Sequence, residues 1–108
     1  GKDVRYPAVS IMNDFGDPLK NPLCIAYSNF LKMPYDRPSW DLLAVLKAVE
    51  PSCEILLNSP TGYISVNNDG VTLFKQDADG KHKYVIMQTD NRRKAVDILV
   101  RRVNSIKQ

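Results

Sequence analysis

The sequence predicts a mainly β domain, closed by one basic amphipathic C-terminal helix. Three observations lead there. The chain has 108 residues, 44% of them hydrophobic and 25% charged, which suits one globular core and is too short for two. Two Asn/Asp-Gly turn signals, at 67–70 and 77–80, separate apolar runs of strand length. After Asn91, apolar residues recur at spacings of three and four.

Val4 to Met12 and Leu23 to Phe30 read as short strands, rich in β-branched and aromatic residues. The turn-forming Asp14-Phe15-Gly16-Asp17-Pro18 lies between them, and Pro7 puts the first at a sheet edge or bulge. Trp40 to Val49 is a helix by local propensity, with Pro38-Ser39 before it and Pro51 after it. Tyr63 to Val66, Val71 to Gln76 and His82 to Gln88 form a three-stranded meander whose turns take positive-φ residues from Asn67-Asn68-Asp69-Gly70 and Asp77-Ala78-Asp79-Gly80. The last element is a helix from about 90 to 106, capped by Asp90 or Asn91, with Val96, Leu99, Val103 and Ile106 on one face.

Several function classes are disfavoured. The longest apolar runs, around Leu42 to Val49 and Ile55 to Leu57, fall well short of the roughly 18 to 20 residues of a membrane span. Gly1-Lys2-Asp3-Val4-Arg5 is charged and shows no secretory signal. Cys24 and Cys53 lie in apolar surroundings and read as buried thiols of a reduced, cytosolic protein. Neither a C-x-x-C pair nor a His cluster is present, so no metal or cofactor is expected. His82, the one histidine, stands between Lys81 and Lys83 without a recognisable nucleophile partner, and the five glycines form no phosphate-binding loop. Asp77-Ala78-Asp79-Gly80 lacks the later ligands of a calcium loop and reads as a turn. A binding protein is expected rather than an enzyme.

The formal net charge is +3, and it is unevenly spread. From Arg92 to Gln108 six basic residues face one acid, Asp97, giving +5 and leaving −2 for the rest. A patch of that kind draws a polyanion to one face. Lys75, Lys81, Lys83, Arg92, Arg93, Lys94, Arg101, Arg102 and Lys107 are the candidate phosphate contacts for single-stranded RNA, and Tyr27, Trp40, Tyr63 and Tyr84 the candidate stacking platforms. The bland alternative is that the aromatics are core and the charges only solubilise.

In order, YPAVSIMND, PLCIAYSNF, LLAVLK, SPTG, YISV, GKHKYVIMQ and DNRRKAVDILVRRVNSIKQ resemble the segments of the coronavirus non-structural protein nine family over nearly the whole chain. The resemblance implies a small open β-barrel of six to seven short strands with one C-terminal α-helix, and it makes Leu42 to Lys47 a strand against local propensity. It also implies a single RNA-binding barrel domain over 1–108, serving as a non-catalytic accessory subunit of a viral replication complex in the host cytoplasm. Its partners would be single-stranded RNA and a viral polymerase with its nucleotidyltransferase domain. Gly1 would be the nucleotidylation acceptor; Gly1 and Gln108 are the residue types that flank a nidovirus main-protease cut.

This sequence departs from the family in two places. The opening Asn-Asn-Glu is missing, and Ala95 and Leu99 stand where the family helix has Gly-x-x-x-Gly; a more distant nidovirus member, such as a torovirus-like one, would fit both facts. A homodimer through the C-terminal helix would use Ala95, Val96, Leu99 and Val103. The rival reading keeps that apolar face as the functional surface: a protein-interaction or dimerisation module without nucleic-acid binding.

Overall fold

Asn21 and Pro22 show how the local sequence overrules the expected strands. In the computed structural model, which describes residues 1–105, the Asn21 side chain accepts from the backbone N–H groups of Leu23 (3.0 Å) and Cys24 (3.4 Å), and Pro22 opens a helix. The chain therefore runs β1 (Arg5–Tyr6), α1 (Ala8–Asn13), α2 (Pro22–Phe30), β2 (Arg37–Pro38) and α3 (Trp40–Val49). It continues through β3 (Leu57–Asn58), β4 (Gly62–Val66), β5 (Thr72–Gln76) and β6 (Val85–Ile86) to a 3-10 turn over Thr89–Asn91 and then α4 (Arg92–Asn104). Lys107 and the expected last turn at Ile106 lie outside the described residues.

The expected mainly β barrel is not what forms. About 39% of the described residues are helix and 18% strand, and they make three separate two-stranded antiparallel sheets, β1–β2, β3–β6 and β4–β5. Val4 to Met12 is mostly helix because α1 receives a cap from far along the chain: Asp36 Oδ1 accepts the Ala8 N–H at 2.8 Å. Leu23 to Phe30 is helix for the reason given above. The segment containing Leu42 to Lys47 follows its local propensity. Asp41 in the first turn and Lys47 in the last suit the helix dipole, and Lys47 Nζ donates to the carbonyls of Pro51 (2.6 Å) and Leu56 (2.7 Å), which fixes the exit from α3.

Part of the meander holds. β4 and β5 form a hairpin in register Gly62↔Gln76 to Val66↔Thr72, turned at Gly70 with φ of 80°. The third segment, however, returns beside β4 rather than β5: His82 bridges Gly62, and β6 pairs with β3. Gly80, expected to supply a positive φ, has another task. A Cβ on Gly80 would collide with the Gly62 backbone, and one on Gly62 with the Lys75 carbonyl, so the two glycines permit a close backbone crossing.

The core collects Val4, Tyr6, Ile11, Cys24, Leu43, Leu46, Leu56, Ala95 and Leu99, from the N-terminal half, the Leu56 loop and α4. No residue of β4 or β5 belongs to it. The hairpin stands off the body with Tyr63, Ile64, Val66 and Leu73 exposed, and among the described residues no strand pairs with the outer edge of β5. The molecule measures 50 × 34 × 27 Å, with a radius of gyration of 16.5 Å. A compact domain of this length would have about 13 Å.

Candidate nucleic-acid interface

Ser39 is buried just ahead of α3, and its backbone N–H lies within hydrogen-bonding distance of the Gly1 (3.2 Å) and Val4 (2.9 Å) carbonyls. The N-terminal segment is thereby held against the start of the helix. Gly1 sits so close to Trp40 that a methyl group there would strike the Trp40 backbone. Trp40 itself remains 58% exposed.

The facing wall is the segment around Tyr84, and Ser59 sets its position. The Ser59 N–H donates to the Tyr84 carbonyl (2.8 Å), and the Tyr84 N–H donates to Ser59 Oγ (2.9 Å). The Tyr84 ring meets Phe74 edge to face at 4.9 Å and is still 49% exposed. Between the walls runs a cleft of about 670 Å³, with Leu43 and Met87 among its apolar lining and Lys83 and Arg92 supplying its cations. Gly1 and Asp3 also line it. Two of the four candidate platforms and two of the candidate cations thus meet in one place.

The other candidates are elsewhere. Tyr27 stacks on Tyr35 at 5.5 Å, and burial raises the pKa of its hydroxyl. Tyr63 packs edge to face on His82 and donates to the Asp79 carbonyl at 2.9 Å. Lys75 is on β5, Lys81 precedes the His82 bridge, and Arg93 and Lys94 are exposed in the first turn of α4. Arg101 lines a second groove, between α1 and α4, beside Asp14 and Asp97. Arg102 forms an ion pair with Glu50 at the end of α3.

No family model, curated protein or solved structure matches this chain. A half-exposed indole and a half-exposed phenol offer π-faces to a planar ring, and the guanidinium and ammonium groups beside them attract phosphate.

The expected dimer seam has a different fate. Ala95 and Leu99 are buried in the monomer's own core and Val96 and Val103 pack partly against it, with α4 lying on β1. Within a single copy Ala95 is fully covered and Leu99 nearly so, while Val96 and Val103 keep part of their surface. Sequence reasoning missed the role of Ser59, a buried serine whose only local signal was its place before Pro60.

Proposed function

We propose that this domain binds single-stranded RNA in the cleft between Trp40 and Tyr84, as a binder without chemistry of its own. Bases stack on the two aromatic faces while Lys83 and Arg92 meet the phosphates. The observation that supports this reading is the convergence of two exposed aromatics and two cations from distant parts of the sequence on one cleft. Service in a viral replicase, docking on its polymerase and transfer of a nucleotide to the Gly1 amine extend the proposal. Segment order supports these, together with the position of Gly1 on the cleft, whereas the barrel that the resemblance implies is absent.

Trp40 is the only tryptophan in the chain, so its fluorescence reports directly on the cleft. Titration with a single-stranded RNA oligonucleotide should quench the emission and yield an affinity that falls with salt, because phosphate contacts release counterions. Trp40→Ala should weaken binding, measured by anisotropy of labelled RNA, by roughly fivefold to a hundredfold, given about 1–3 kcal/mol per stacked base. Unquenched emission, or equal affinity for Trp40→Ala, would refute the assignment.

A further inference from the structure

α3 is apolar around most of its circumference. Leu43 and Leu46 face the core, yet Leu42, Val45 and Val49, on the flank beside Leu46, are exposed, the last two by 57% and 69%. Of its two charged residues, Lys47 is half-buried and engaged with the Pro51 and Leu56 carbonyls, which leaves Asp41 as the one charge on the outward side. A helix apolar all round belongs in an interior. The exposed stripe also forms one wall of a groove of about 440 Å³, whose other wall is Leu99 and Val103 of α4, and the Glu50–Arg102 ion pair stands at its end.

We infer that this groove receives α3 of a second copy of the same chain, the two helices running antiparallel about a two-fold axis near Val45. In that register Leu42 of each copy faces Val49 of the other, so the apolar stripe is self-complementary. Charge decides the direction. Antiparallel packing brings Asp41 of one copy to the Glu50–Arg102 end of the other, where Arg102, with five N–H donors and a largely exposed side chain, takes a second carboxylate. Parallel packing would set Asp41 against Asp41 and Arg102 against Arg102. Exposed Ala48 leaves room for close helix approach beside the stripe. One helix pair buries little area, at the small end of specific interfaces (below about 1,200 Å² in total), so association depends on concentration.

The RNA cleft uses Trp40, Leu43 and Ala44 of the same helix and is a separate surface.

The test is sedimentation equilibrium of the full chain over about a hundredfold range of concentration. Reversible dimerisation is expected, with Trp40→Ala leaving it unchanged. Val45→Glu and, separately, Asp41→Arg should each weaken it at least about tenfold. Both substitutions fall at exposed positions, and circular dichroism melts identify any that disturbs folding; the other variant then carries the comparison. In a Cys53→Ser background, oxidised Val45→Cys should form an interchain crosslink well ahead of Val49→Cys, because only residue 45 lies near its own symmetry mate. A monomer at every concentration, dimerisation indifferent to both substitutions, or equal crosslinking at 45 and 49 would overturn the inference.

Discussion

The Tyr6 and Ser10 hydroxyls lie 2.8 Å apart in the buried interior, and the Ser10 hydroxyl donates to Asp14 Oδ2 at 2.6 Å. A hydroxyl has one proton to give, so Tyr6 must donate to Ser10. Asn104 Nδ2 donates to the same carboxylate oxygen at 3.0 Å, which ties the end of α1 to the end of α4.

Removing the middle of this chain of bonds should be worse than removing its start. Ser10→Ala leaves the Tyr6 hydroxyl buried without an acceptor and should cost about 1–3 kcal/mol, while Tyr6→Phe takes away the donor together with its need. Urea denaturation of both single variants and the double variant is expected to show strong coupling, the double recovering part of the stability that Ser10→Ala alone loses. Additive losses would mean that the two hydroxyls act independently.

In the cleft, position on α4 should decide which cations matter. Arg92 lines the cleft, whereas Arg101 is nine residues on, about 13 Å along the helix axis and beyond the Debye length of about 8–10 Å near physiological salt. Lys83→Gln and Arg92→Gln should each weaken RNA binding and each reduce the slope of log affinity against log salt by roughly 0.7. Arg101→Gln should leave both largely unchanged. A slope that responds equally to all three would spread the contacts along the whole basic helix.

Stability should fall on the alkaline side in two stages. Burial raises the pKa of the Cys24 thiol above its ordinary 9.0 and that of the Tyr6 hydroxyl above 10.0, with the Asp14 and Cys24 charges adding to the latter; burial also raises Tyr27, with Tyr35 contributing. Below pH 9 these groups are protonated in both the folded and the unfolded chain, so their contribution is fully present. Above about pH 9 the unfolded chain gives up the Cys24 proton while the folded one keeps it, the unfolded state binds fewer protons, and stability declines; Tyr6 and Tyr27 join above about pH 10. Urea midpoints taken from pH 8 to 11 should show this decline, and Cys24→Ala should postpone its onset to about pH 10. A flat profile to pH 11 would contradict the role of burial.

The elements legible in the sequence are those whose signals are local. Gly70 turns the hairpin, and the three-and-four spacing after Asn91 marks α4. The strand expected for Leu42 to Lys47 from the resemblance to a barrel family is overturned: α3 follows the local helix propensity of Trp40 to Val49, and Lys47 secures its exit. Asn21-Pro22 is a helix start that the aromatic and branched residues after it disguised. The cap on α1 could not be seen, because Asp36 lies 28 residues from the N–H it accepts. The same division runs through the site: Trp40, Tyr84, Lys83 and Arg92 stood out by residue type, but their convergence depends on Ser59 holding Tyr84 and on Ser39 anchoring the N-terminal segment, pairings between distant positions. Arg102 stood out by its charge, and its pairing with the distant Glu50 had no local signal.

The outer edge of β5, which no strand among the described residues pairs with, gives Lys75 a second meaning. Val71-Thr72-Leu73-Phe74 is a short run of high β-propensity without proline, and a bare strand edge of that composition is a template on which another chain can add. A charged residue immediately after such a run is how natural sheets discourage fibril growth. Lys75→Val should therefore produce material that gains thioflavin fluorescence on standing, with a lag that shortens as concentration rises. In such a sample a fall in RNA binding would measure the loss of dispersed protein, so the lysine may be judged as an RNA ligand only in solutions shown to be free of aggregate.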